Sequence, residues 1–342
     1  MPARSSEVRV DWSMSLALLL VGGTGAPPAP LVHTYSIVAR DPKTGELGVA
    51  VQSHYFSVGP IVPWAAAGVG AVATQSLVLV DYGPRGLDLM RSGMTARQAL
   101  DSLLAADAHN EGRQVAMVDA KGNVAAYTGP HCIPDAGHLT GDQFSVQANL
   151  MSNPTIWPAM KSAFEKAEGD LGERMMQALE AAQKAGGDIR GKQSAAILVV
   201  RGQSTGKPWM DKIFDLRVED AEEPLKELRR LIRLRRAYNL EDQGDNFISE
   251  KKPAEAMKAY EDAMKLAPEI TELQFWAAVS MYTNDRRPEA LKLFRRVFEK
   301  EPIWADLVKR LPKAGLFPDD KTQIDEVLRQ RPHGRMDRLT NR

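Results

Sequence analysis

TYSIVARDPKTGELGVAVQS, residues 34–53, sets two β-rich runs, TYSIVARD and ELGVAVQS, on either side of a turn at Pro42–Gly45. Tyr, Ile, Val and Thr suit a pleated, half-buried surface, and Pro-Lys-Thr-Gly reverses the chain, so the stretch predicts a β-hairpin. Thr34 stands at its first position, directly after a Pro/Gly-rich leader. Outward from there, AAGVGAVATQS (66–76) is small, apolar and β-branched, as a strand buried on both faces would be. GPRGLDLMRSG predicts a helix with Pro84 in its first turn and Gly93 at its end. MTARQALDSLLAADA predicts another, with Thr95 as N-cap and Gln98 completing a capping box. RQVAMVDAKGNVAAYTG reads as a second hairpin turning at 121–123, and FSVQANLM as a strand. Two helices over 153–186, a buried strand in SAAILVVRG and a last strand in IFDLRVED follow. This order predicts a helix-covered sandwich rather than a doubly wound parallel sheet.

The chain has 342 residues, which at roughly 150 per domain predicts about two domains. Apolar residues make up 44% and charged residues 26%, enough for real cores and a polar surface. Lys plus Arg balance Asp plus Glu, so no global field draws nucleic acid or an anionic membrane. A single cysteine, Cys132, rules out an intrachain disulfide. Residues 1–33 read as a leader, because MSLALLLVGGTG (14–25) is a short apolar run followed by small residues, the pattern of a signal peptide. The run falls short of the roughly 20 residues that span a bilayer, so no membrane span is expected in the mature protein. Export to the periplasm or beyond is the expectation, with a cytoplasmic protein as the alternative.

Composition changes at residue 219 to charged helix. Ala256, Tyr260 and Pro268 recur as Ala290, Phe294 and Pro302, each 34 residues on, which is the tetratricopeptide period. Leu240, Gly244, Phe247 and Ala263 fill further positions of the first copy, whereas the second has Ala278 and Met281 instead of Gly and an aromatic. The partition is therefore a 1–33 leader, a 34–218 α+β domain, a 219–320 all-α tetratricopeptide-like domain and a polar 321–342 tail. Such repeats most often hold a peptide or protein partner.

TYSIVARDPKTGELGVAVQS, VPWAAAGVGAVATQS, DYGPRGLDLM, RQVAMVDAKGNVAAYTG and GDIRGKQSAAILVV, in that order, resemble a bacterial family of unknown function assigned to the Ntn-hydrolase-like superfamily. The resemblance covers 34 to about 201 and implies an αββα sandwich of two antiparallel sheets between helical layers. Members typically begin Met-Thr, so loss of Met leaves Thr first; some carry a C-terminal region labelled peptidoglycan-binding, which the helical part here resembles. Thr34 here follows 33 residues and needs a cut after His33, by a second protease or by Thr34 itself. An N-terminal Thr supplies a hydroxyl nucleophile together with an α-amine of pKa near roughly 8 as its base. Gln75, Ser76 and Asn149, polar residues at strand ends, are candidate oxyanion donors, and Ser53, Asp188, Arg190 and Gln193 candidates for holding the amine or substrate. The plainer reading of Thr34 is a β-branched strand residue.

HCIPDAGH contains His131, Cys132, Asp135 and His138, but their spacing matches no established zinc pattern, and a loop with one buried Cys is favoured over a metal site or a Cys–His pair. GQSTGK (202–207) has one residue too few between its glycines for a phosphate loop, and Pro208 replaces the Ser/Thr. Asp188 and Arg190 form an ion pair, a turn or a substrate clamp. No cofactor and no metal is expected. Two functions follow: an exported amidohydrolase of the N-terminal-nucleophile type, acting on a peptide or cell-wall fragment, or a non-catalytic binding protein whose helical repeats hold a partner.

Overall fold

The 34–53 stretch folds as a hairpin of β2 (Thr34–Arg40) and β3 (Leu47–Ser53), in register from Thr34 opposite Ser53 to Arg40 opposite Leu47. The Asp41 carboxylate accepts from the Lys43 and Thr44 amides and closes the turn. The computed structural model describes residues 31–32 and 34–332; the expected signal peptide and the last ten residues of the polar tail lie outside them.

Residues 66–76 depart from the single strand expected. Pro63–Ala66 (β4) and Gly70–Leu77 (β5) are two strands of a hairpin, turned at Gly68 with φ +70°, which an L side chain rarely adopts. Two short strands went unpredicted, β1 (Leu31–Val32) and, after β6 (Arg113–Asp119) and β7 (Val124–Thr128), β8 (Gly137–Gly141). β9 (Phe144–Ala148), β10 (Ser194–Val200) and β11 (Lys212–Val218) complete the sheets.

One sheet runs β1-β5-β6-β7, with β4 also on β5; the other runs β11-β10-β3-β2-β9-β8, and every strand pairing among the described residues is antiparallel. Period-two alternation sends Val38, Val49 and Val51 inward against Ala71, Ala73, Ala116 and Val118 of the facing sheet. The outer face of the smaller sheet buries Val72, Val115 and Met117 under α1 (Tyr82–Arg91) and α2 (Ala96–Ala106), whose capping box forms as predicted. The larger sheet buries Tyr35, Ile37, Val146 and Ile197 under α3 (Ile156–Lys166) and α4 (Leu171–Lys184). The molecule is thus a mixed α/β unit of antiparallel sheets followed by a helical region.

That region consists of α5 (Pro224–Ser249), α6 (Pro253–Leu266), α7 (Thr271–Thr283), α8 (Arg287–Lys300), α9 (Trp304–Val308) and α10 (Lys321–Leu328). Residues 321–328, expected as tail, are helical, and Val327 is buried in the helical core. Leu225, Leu228 and Ile232 of α5 belong to the core beneath the larger sheet, so the change of composition at 219 is not a packing boundary. No helix of the described residues is long and apolar enough to cross a membrane.

Candidate functional site

Thr34 opens β2 in the interior of the larger sheet, flanked by β3 and β9, and is fully buried. Its hydroxyl donates to Ser53 Oγ at 3.1 Å, the residue opposite it in the hairpin. Its carbonyl accepts from the Asn149 amide at 3.1 Å, from Gln75 Nε2 at 3.2 Å and from Asn149 Nδ2 at 3.5 Å. Three donors on one carbonyl fix the first residue of the strand.

Around it the inward faces turn polar. Ser145 donates to Gln147 Oε1, Gln147 Nε2 to Ser36 Oγ, Ser36 to Gln75 Oε1, Gln75 Nε2 to Gln114 Oε1, and Gln114 Nε2 to Thr128 Oγ1, at 2.6 to 2.9 Å. Thr128 Oγ1 then meets His138 Nδ1 at 2.8 Å. Asn149 Nδ2 joins at Gln114 Oε1, 2.9 Å away. The links run head to tail across both sheets, an arrangement in which each bond polarises the next. Burial, with the Arg97 charge added, holds the His138 imidazole below its ordinary pKa, which favours its neutral form at the end of the chain.

Of the residues expected at a site, Thr34, Ser53, Gln75 and Asn149 therefore come together. Gln75 and Asn149 spend amide hydrogens on the Thr34 carbonyl and on Gln114, which makes them holders of Thr34 in this form of the chain. Ser76 follows Gln75 with φ +72°, a strained conformation for a non-glycine residue. Its buried hydroxyl lacks a conventional hydrogen-bond partner among the described residues and has the Cys132 sulfur, a weak partner, beside it.

Asp188 and Arg190 stand at the rim. Arg190 Nε and Nη2 grip the two oxygens of the buried Asp188 carboxylate at 3.0 and 2.7 Å, and the Arg190 amide closes a turn on the same group at 2.9 Å. The His54 amide also reaches it, at 3.4 Å, so the pair braces the chain just after Ser53. Gln193 acts through its backbone, donating to the Ser53 carbonyl at 3.1 Å.

The HCIPDAGH segment divides: Cys132 is buried with its thiol aimed at the Gly112 and Arg113 carbonyls, His131 is exposed, and His138 lies in β8. Burial pushes the Cys132 thiol pKa up, which disfavours the thiolate. Among the described residues no group of three or more His, Cys, Asp or Glu side chains could hold a metal ion. The GQSTGK loop is folded onto Asp211, whose carboxylate takes the Ser204 and Thr205 hydroxyls at 2.8 and 2.7 Å.

Ser36, Gln114, Gln147 and Thr128 were not foreseen. Their signal is a polar residue breaking an apolar strand, as in TYSIVAR, RQVAMVD and FSVQA, but which face each occupies depends on the pairing.

Protein SPO2555 from Silicibacter pomeroyi, itself a member of family DUF1028, matches with 29% identity and a TM-score of 0.53, over 58% of this chain and 84% of its own. No curated protein matches the chain. The model of the family of unknown function DUF1028 matches residues 34–228, starting on Thr34 itself, and the chain belongs to that family.

Proposed function

We propose that the α+β part is an Ntn-hydrolase-like αββα sandwich, and that the chain is the precursor of an amidohydrolase whose nucleophile is Thr34 once the bond after residue 33 is cut. The observation that carries this reading is the placement of Thr34. It begins an interior strand, its hydroxyl is held by Ser53 and its carbonyl by three amide hydrogens, between two sheets.

In the self-cutting route, Thr34 Oγ adds to the carbonyl carbon of residue 33. The C–N bond to Thr34 breaks, the hydroxyl proton passes to the departing nitrogen, and water hydrolyses the ester. In turnover, the freed α-amine takes the Thr34 hydroxyl proton as Oγ attacks an amide carbonyl. The leaving nitrogen receives that proton, and water then releases the acyl group as an acid and restores the hydroxyl. The α-amine pKa, roughly 8, suits this exchange at neutral pH. Gln75, Ser76 and Asn149 are the candidate oxyanion donors, and the first and last must turn from the Thr34 carbonyl to serve. Asp188 and Arg190, through the His54 amide, and Gln193, through the Ser53 carbonyl, hold the end of β3 beside Thr34.

The helical region reads as tetratricopeptide-like: Ala256, Tyr260, Ala290 and Phe294, the repeat pairs, are all buried within it. A protein partner, or the cell-wall polymer that a peptidoglycan-binding region implies, is the ligand proposed for it, and an exported location goes with that substrate. One observation favours a non-catalytic binding protein instead: in the uncut chain Thr34 is fully buried and its nitrogen is a peptide amide.

Intact-mass and N-terminal peptide analysis of the protein from its native host separates these readings. The expected result is a wild-type chain beginning at Thr34 and, for self-cutting, an uncut Thr34→Ala chain. A wild-type chain that keeps Leu31 and Val32 has no α-amine at Thr34 and overturns the catalytic reading.

A further inference from the structure

The strand ahead of Thr34 lies on the opposite sheet. Leu31 and Val32 pair antiparallel with β5, opposite Leu77 and Ser76, while Thr34 pairs with Ser53 and so belongs to the other layer. The chain therefore passes from one sheet to the other immediately before the candidate nucleophile.

The edge that β1 covers is a gap left by β4. β5 has β6 along one side from Gly70 to Ser76, one residue short of its end at Leu77. Along the other, β4 accompanies it only from Gly70 to Ala73, and the Thr74 amide still finds the Val62 carbonyl at 3.2 Å. Beyond that point only β1 pairs with this side among the described residues. An uncovered stretch of sheet edge is a template for another extended segment.

The gap is also built to keep its shape. Arg113 Nη1 donates to the Leu77 carbonyl at 2.6 Å, and a buried ion pair with Asp107, Nε to Oδ2 at 2.8 Å, holds Arg113. Gly112 lies directly against the Leu77 side chain, where any Cβ would collide with it. Ser76, strained at φ +72°, sits opposite Val32 with its hydroxyl in no conventional hydrogen bond among the described residues. Strain retained at a site beside a candidate nucleophile fits a backbone arranged for contact with a ligand.

We propose that the β5 edge at Ser76–Leu77 is the docking rail for the acyl side of an extended peptide substrate, and that Leu31–Val32 occupies it in cis until the chain is cut. This rests on the catalytic reading of Thr34 and narrows its substrate: a peptide, with two or more residues before the scissile bond, that adds as a short antiparallel strand. The polarity agrees, because β1 runs towards Thr34 and its residues stand on the acyl side of the 33–34 bond.

The test uses the Thr34→Ala chain, so that no turnover is needed, in full length and after removal of residues 1–33 at an introduced protease site. Amide hydrogen exchange is read at Ser76 and Leu77, with Val115 and Met117 as folding controls. The expected result is that exchange at one or both edge amides is about tenfold or more faster in the shortened chain. The synthetic peptide Ala-Pro-Leu-Val-His, residues 29–33, restores protection, and the same peptide methylated on its Leu and Val nitrogens does not. Equal exchange in both chains, or equal protection by the methylated peptide, overturns the rail. Wild-type processing is read separately by intact mass. A wild-type chain that is cut, together with an edge that the peptide leaves unprotected, removes only the rail, whereas an uncut wild-type chain together with an edge that the peptide protects removes the catalytic reading and leaves strand addition.

Discussion

Gln114 carries more of the buried polar layer than Thr34 does. Its Oε1 accepts from Gln75 and Asn149, and its Nε2 donates to Thr128 and to the Gly137 and Ala148 carbonyls. Gln114→Ala takes a hydrogen-bond partner from the fully buried Gln75 and Asn149 amides and from the buried Ala148 carbonyl, each at a cost of about 1 to 3 kcal/mol less whatever water restores, so a loss of about 3 kcal/mol or more is expected. The urea midpoint of the variant checks this; a change under about 1 kcal/mol would mean that the layer is wet or loosely bonded. Thr34, Gln75 and Asn149 were legible in the sequence because polar residues at strand ends stand out against apolar runs. Gln114 and Ser36 were not, since a polar residue inside a strand points to either face until a partner strand fixes the register. Asp188 and Arg190 were legible as a pair, but only the geometry shows a two-pronged grip that braces the chain after Ser53.

Most helices and strands were legible because their signals are local: the Thr95 capping box, the Asp41 turn, the alternation in β6 and β9. β1 has two residues, and β8 reads GHLTG, with too little β propensity to declare itself. Gly68 was hidden inside a run of small residues that looked continuous. In the helical region, Gly244 of α5 lies against the ring of Tyr260 from α6, whose hydroxyl reaches Asp245 Oδ1 at 2.5 Å and Ser280 Oγ at 3.0 Å. Gly244→Ala gains helix propensity of roughly 1 kcal/mol but drives a methyl into a ring fixed at both ends, an overpacking cost of about 1 to 3 kcal/mol. The net expectation is a loss of about 1 kcal/mol confined to α5–α8. Faster amide exchange in those helices with unchanged exchange in β2 and β3 would show it, and a stabilised variant would show that the ring moves aside.

At the scale of the whole molecule, α5 joins the two cores: its first turns lie beneath the larger sheet, and its last ones pack with α6. At 26 residues it is about 39 Å long. Arg229 clasps Glu180 and Glu173 of α4 at 2.6 and 3.1 Å, and Arg236 meets Asp170 at 2.7 Å. These half-exposed pairs are worth at most about 1 kcal/mol each, so they set the register of α5 more than its stability. With zero net charge, pH acts through local groups. Burial, with Asp245, Asp242 and Glu272 around it, raises the Glu241 carboxyl from its ordinary 4.5 to about 7. The folded state thus holds a proton there that the unfolded chain releases first. This contribution is fully present below pH 4.5 and is lost as pH rises towards and past 7. Glu241→Gln is expected to flatten that part of the decline, with urea midpoints of the helical transition at pH 5 and pH 8 differing less than in the wild type. Identical pH dependence in the two proteins would place the slope elsewhere.

The passage of the chain from β1 on one sheet to Thr34 on the other bears on how the protein is purified. A handle fused ahead of residue 31 retains only molecules in which the two strands are still joined, all with the Ser76–Leu77 edge covered. If the bond after residue 33 is cut as proposed, a handle at the far terminus gathers joined and severed molecules alike, so the choice of affinity tag decides which population any assay meets.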